Sequence, residues 1–294
     1  MTTPPADGGE VTQAETGNDT SIGSSADRKK GLLQIEPGVQ LFETEAQTGT
    51  GIIKLWIFLP QERINAASDT NIPCILIAPA GTPMIWGSTI GREQFPEILP
   101  YVRAGYYAVN YEIEGNCSPE DSNEVILTAI SQFRDAHAGI SDERAAMDYA
   151  LKLPRVDKKR IYVAGHSSAA SLALLSAEYD SRVAGCIAYA PATDIIGRTG
   201  AKTIKVFQAF VPDIKPFLIN SSPITAAAKL KCPVFLFHAD DDTNVPAADN
   251  AAFAKKLSKT NKHVTFVRVP TGNHYKSMIR EGIPKAIEWL KTQP

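Results

Sequence analysis

Arg160-Ile161-Tyr162-Val163-Ala164-Gly165-His166-Ser167-Ser168-Ala169-Ala170 decides how this chain folds. Its first five residues form the apolar-rich run of a short buried strand, and residues 169–178, rich in Ala and Leu, read as a helix. Between them a Gly-x-Ser-x-small pattern requires a sharp turn. Such a strand-to-helix turn lifts one serine hydroxyl to the top of a sheet, exposed for nucleophilic attack. Small residues flank the serine because the two backbones approach closely there. Ala169 stands where glycine is usual, one methyl larger. Ser167 is the candidate nucleophile, since choosing Ser168 would put bulky His166 where a glycine is wanted.

A neutral serine needs a base, and the base needs a carboxylate to hold its tautomer. Two later strand ends supply both. The run 232–238 leads into Ala239-Asp240-Asp241-Asp242-Thr243-Asn244-Val245-Pro246, and 264–269 leads into Pro270-Thr271-Gly272-Asn273-His274. Of the five histidines, His274 alone lies in a loop after a strand in the right chain order. The acid is one of the three adjacent aspartates, with Asp194, after the preceding strand, as an outside candidate. Acyl transfer also needs donors aimed at the developing oxyanion. The Ser168 amide is one, and Thr82 in Pro79-Ala80-Gly81-Thr82-Pro83 is expected to supply the other.

Working outward, strands are expected at 39–44 and 52–59, paired antiparallel through Gly49-Thr50-Gly51. The nearly continuous apolar run 72–78 suits a central strand covered on both faces. Further strands are expected at 106–111 and 183–189. Helices are expected at 91–103, 247–258 and 283–290, and across 122–153 with a break near Gly139 and Ser141 as N-cap. Alternating strands and helices argue for a mainly parallel α/β sheet with helices on both faces and a ligand site beyond the carboxyl ends of its strands. Residues 192–230 break that rhythm and read as an inserted helical cap. Residues 1–30 hold almost no large apolar side chain and are expected to be a disordered tail, leaving 31–294 as one catalytic domain.

A net charge of −2 gives no global attraction for nucleic acid or an anionic membrane. No apolar run approaches the roughly 18 residues of a membrane span. The four cysteines contain no C-x-x-C, so neither a metal site nor a disulfide framework is expected, and a cytoplasmic setting fits. The aspartate run has no second carboxylate group nearby in sequence to support a bound cation, and no cofactor is implied.

These pieces together resemble the catalytic domain of the prolyl oligopeptidase family, within the α/β-hydrolase superfamily and close to dienelactone-hydrolase-like esterases. The resemblance rests on Asn110-Tyr111, on Val156-Asp157-Lys158-Lys159-Arg160-Ile161, on Ser222-Pro223-Ile224 and Cys232-Pro233-Val234, and on His238 through Pro246. The last run is similar to His-Gly-x-x-Asp-x-x-Val-Pro, and that register selects Asp242 as the acid. It departs from the family at Glu112, Ala239, Ala169 and Ala170, and the oxyanion loop lacks a His-Gly start. The residues ahead of the central strand are too few for the β-propeller that filters substrates in the family's peptidases. The resemblance implies a serine hydrolase with Ser167, Asp242 and His274 as triad, acting on a short peptide, an amide or a small ester. Trp86, Tyr111 and the insertion are expected to shape its pocket. The alternatives are a dienelactone-hydrolase-like carboxylesterase and a non-catalytic binding protein of the same fold.

Overall fold

The computed structural model describes residues 31–66 and 70–293. The expected tail, 1–30, lies outside them. Nine strands form one sheet: β1 (Leu33–Glu36), β2 (Val39–Gln47), β3 (Ile52–Pro60), β4 (Ile72–Ile77), β5 (Tyr107–Tyr111), β6 (Val156–His166), β7 (Gly185–Tyr189), β8 (Val234–Ala239) and β9 (Val264–Val269). Their spatial order is β1-β2-β3-β5-β4-β6-β7-β8-β9, which places β4 at the centre. The expected hairpin is present, with β2 and β3 antiparallel from Val39 opposite Pro60 to Gln47 opposite Ile52. From β5 to β9 every neighbouring pair is parallel.

Period-two alternation divides the core between the two faces. Ile72, Cys74 and Leu76 of β4 join one apolar cluster, whereas Ile75 and Ile77 join the other. In β8, Val234 and Leu236 face the first cluster, and Phe235 and Phe237 the second. Helices Asn123–Asp135, Ile140–Ala150, Ser168–Tyr179 and Ala247–Leu257 cover the first face, and Phe95–Arg103 and Ile283–Leu290 the second. Each fully buried Leu, Ile, Val or Phe contributes roughly 1.5–3 kcal/mol, so these central strands anchor everything at their ends.

One expectation needs correction. Ser141 is not the N-cap of its helix: Gly139, at φ 90°, fills that position because the entering chain needs a left-handed residue. Asp142 and Glu143 lie in the first turn of that helix and are fully buried. Ser122 caps the preceding helix, its hydroxyl accepting from the Val125 amide at 3.4 Å. Two elements were also unforeseen, β1 and the helix Gln61–Asn65.

The insertion between β7 and β8 is helical, with segments Ile195–Thr199, Ala201–Gln208, Ile214–Asn220 and Pro223–Ala226. Phe217 packs edge-on against Phe133 at 5.9 Å between ring centroids. Arg198 donates to the Asn244 carbonyl at 2.7 Å, tying the insertion to the loop after β8. Among the described residues the four cysteines are free thiols, and no helix is long and apolar enough to cross a membrane.

Candidate active site

β6 ends at His166 and the following helix begins at Ser168, so Ser167 alone makes the turn. Its backbone lies at φ 56°, ψ −119°, a strained conformation for a residue with a side chain. Two backbone bonds hold it there: the Ser167 amide donates to the Tyr189 carbonyl at 2.9 Å, and the Ser171 amide to the Ser167 carbonyl at 3.1 Å. A Cβ at Gly165 would sit 2.3 Å from the Ala169 carbonyl carbon and oxygen, so glycine is required on the strand side. That close approach is what makes room for the helix, and the extra methyl of Ala169 is accommodated in a residue only 1% exposed.

The loop after β8 gives its three aspartates separate tasks. Asp240 pairs with Arg268 on the neighbouring strand, at 2.6 Å and largely in solvent. Asp241 accepts from the Gly272 and Asn273 amides at 3.0 and 2.7 Å, clamping the loop that carries His274. Asp242 Oδ2 accepts from His274 Nδ1 at 2.7 Å, while its Oδ1 accepts from the Asn244 and Val245 amides at 2.8 and 3.0 Å. Burial alone would raise the Asp242 carboxyl, but the His274 bond and the two amides outweigh it and hold it below the ordinary carboxylate range. Asp194, the outside candidate, instead caps a helix of the insertion, accepting from the Gly197 amide at 2.9 Å.

His274 Nε2 is buried without a hydrogen-bond partner among the described residues. No hydrogen bond joins it to the Ser167 hydroxyl, an arrangement that commonly tightens only when substrate binds. The histidine loop nevertheless sits against the elbow. His166 Nε2 donates to the His274 carbonyl at 3.0 Å, and the two imidazoles lie 4.5 Å apart. Burial, followed by the charge of His274, pushes His166 down to about 4, so it is a neutral spacer at physiological pH.

His238, at the end of β8, has a role its sequence context did not reveal. Asn250 donates its side-chain amide to His238 Nδ1 at 2.8 Å, which leaves the ring proton on Nε2. That proton is directed at the Val245 carbonyl, 3.0 Å away, and at Asp242 Oδ2, 3.2 Å away. The Asp-rich run offered three alternatives for one acid; the contributions of His238, Asn250 and Asp241 depend on contacts that spacing does not show.

The loop after β4 reaches the elbow through Ser168. The Ser168 hydroxyl oxygen accepts from the Gly81 amide at 3.0 Å and from the Thr82 amide at 3.2 Å. The Ser168 amide opens its helix, where it has no intrahelical acceptor. Trp86 is half-buried against the core, and Tyr111 is 2% exposed with its phenol near Glu143 and Asp142. Among the described residues neither hydrogen-bonds to the residues around Ser167. No cluster of three His, Cys, Asp or Glu side chains suited to a metal ion occurs among the described residues.

A profile of the prolyl oligopeptidase family matches residues 103–293. The rat (Rattus norvegicus) acylamino-acid-releasing enzyme is 24% identical over 172 residues, covering 53% of this chain and 24% of that protein. The chain spans well under half the length of the curated relatives it matches. Among solved structures, an acylaminoacyl peptidase of Pyrococcus horikoshii superposes with a TM-score of 0.67 at 17% identity, over 87% of this chain and 42% of that one. An esterase of Pyrococcus furiosus superposes at 0.60 with 18% identity, over 86% of this chain and 92% of that one. These superpositions show an α/β-hydrolase fold.

Proposed function

The chain belongs to the prolyl oligopeptidase family, and on that premise we propose that it is a serine hydrolase acting on a small ester or a short peptide or amide. The observation that carries this reading is the buried Asp242–His274 pair at 2.7 Å, set against the turn that holds Ser167. Asp242 keeps the Nδ1 proton on His274, leaving Nε2 as the basic nitrogen. Ser167 Oγ attacks the carbonyl carbon of the substrate as its proton passes to His274 Nε2. The tetrahedral oxyanion is met by the Ser168 amide and by a second donor from the place where the loop after β4 meets Ser168. The bond to the leaving group then breaks, and His274 returns the proton to it. A water molecule repeats the sequence on the acyl-enzyme and releases the acid.

Both substrate classes have support among the related proteins, which include peptidases and esterases. A fluorophosphonate probe and p-nitrophenyl esters test the chemistry. The wild-type protein is expected to be labelled and to turn over the ester, and Ser167→Ala to lose both. Retained labelling of that variant would overturn the assignment, and absence of labelling in the wild type would favour a binding protein of this fold. Comparing kcat/KM for acyl esters and aminoacyl amides separates the two substrate classes.

A further inference from the structure

We propose that the second oxyanion donor of this site is the side-chain hydroxyl of Ser168, not the Thr82 amide. The inference rests on the serine hydrolase reading above and concerns how that site stabilises its transition state.

A serine hydroxyl has two lone pairs and one proton. At Ser168 both lone pairs are engaged, one by the Gly81 N–H at 3.0 Å and one by the Thr82 N–H at 3.2 Å. The Thr82 amide is therefore directed at Ser168 Oγ. The hydroxyl proton, by contrast, has no acceptor among the described residues. Ser168 as a residue is 5% exposed, so little bulk water reaches it to replace the missing acceptor. A buried O–H with nothing to receive it is costly, and such groups tend to find a partner in the working site.

Its position identifies that partner. Ser168 follows the nucleophile directly, and its own backbone amide faces the same turn. The loop it binds is the one after β4, the segment that faces the oxyanion in hydrolases of this fold. Two amides donating to one oxygen polarise its O–H bond and make it a better donor. The two amides thus act through Ser168, and the hydroxyl delivers their combined effect to the oxyanion. No proton is transferred: the hydrogen stays on Ser168 Oγ and only the hydrogen bond strengthens as negative charge grows.

Steady-state kinetics on a p-nitrophenyl ester distinguish the two donors, because they give opposite expectations for Ser168→Ala. With the hydroxyl as donor, kcat falls roughly 10²–10³-fold with KM little changed, the usual loss for one oxyanion donor. Affinity for a trifluoromethyl ketone, which forms the tetrahedral adduct, should fall with kcat/KM. Ser168→Thr, whose hydroxyl keeps both the acceptor and the donor, should regain a large part of the lost kcat. Should the alanine variant fail to fold, Ser168→Cys, whose thiol is a weak donor, carries the same expectation. Unchanged or increased kcat in Ser168→Ala would overturn the proposal, since the released Thr82 amide would then be the donor. Wild-type protein that neither hydrolyses the ester nor takes the fluorophosphonate would overturn the hydrolase reading and this proposal with it.

Discussion

His238 and His274 share one carboxylate oxygen: Asp242 Oδ2 lies 2.7 Å from His274 Nδ1 and 3.2 Å from His238 Nε2. This carboxylate is thus fixed from two sides, and of the two imidazoles only His274 has an Nε2 without a hydrogen-bond partner among the described residues. Replacing His238 by Phe puts a larger ring into a fully buried site and strands the Val245 carbonyl and one proton of the Asn250 amide, whose bond to the Pro191 carbonyl remains. The expected cost is about 1–3 kcal/mol of stability, with a fall in kcat as Asp242 loses an anchor. Thermal unfolding and ester turnover check the two effects separately.

The three aspartates should separate sharply on substitution. Asp242→Asn is expected to lower kcat by up to ~10⁴-fold, because the histidine tautomer is no longer held. Asp240→Asn removes only an exposed ion pair and should remain near wild-type. Asp241→Asn loosens the clamp on the Gly272–Asn273 backbone and should fall between them. A reversed ranking in an ester assay would move the acid elsewhere in the loop.

Three buried carboxyls should make stability fall as pH rises. Burial pushes Asp142 and Glu143 up to about 8 and Glu178 up to about 9. Both oxygens of Glu143 and of Glu178 lack hydrogen-bond partners among the described residues. In the unfolded chain these groups ionise near their ordinary values of 3.8 and 4.5, while in the fold they keep their protons. The unfolded state therefore gains from each pH unit across the window between those values and about 8–9, and the fold is progressively disfavoured. Glu178→Gln removes one such group. Its melting temperature relative to wild type should rise between pH 5 and pH 9, and an unchanged difference would contradict the shift.

The elbow should tolerate change on one side only. Gly165→Ala drives a methyl to 2.3 Å from the Ala169 backbone, and a loss of about 1–3 kcal/mol or more is expected. Ala169→Gly removes a methyl near the start of the helix and should cost roughly 0.5–1 kcal/mol. Denaturant midpoints of the two variants give the comparison directly.

What could be read in the sequence follows from how local its cause is. The strand 264–269 and the helix 283–290 were bounded correctly because apolar periodicity alone specifies them. Strand β1 was not visible: four residues with a register shift between Gln34 and Glu36 offer too short an alternation. The helix Gln61–Asn65 buries no residue and so leaves no apolar stripe to detect. The burial of Asp142 and Glu143 was not legible, because nothing in the local sequence shows that the Ser168–Tyr179 helix packs beside theirs. The order of Ser167, Asp242 and His274 was legible, since each follows a strand. The Ser168 hydroxyl's contacts to Gly81 and Thr82 were not, because they join residues 87 and 86 positions apart.

Those long separations also set when the site can exist during folding. Its parts arrive after β4, β6, β8 and β9, spread along the chain from Gly81 to His274. Parallel pairing of distant strands is slow because long loops must close before contacts form. Ser168 cannot collect its two amides until β4 and β6 are side by side, and His274 cannot meet Asp242 until β9 joins β8. Enzymatic activity is then the last property the chain acquires. Its recovery on refolding should lag behind the return of helical signal, so turnover reports completion of the sheet.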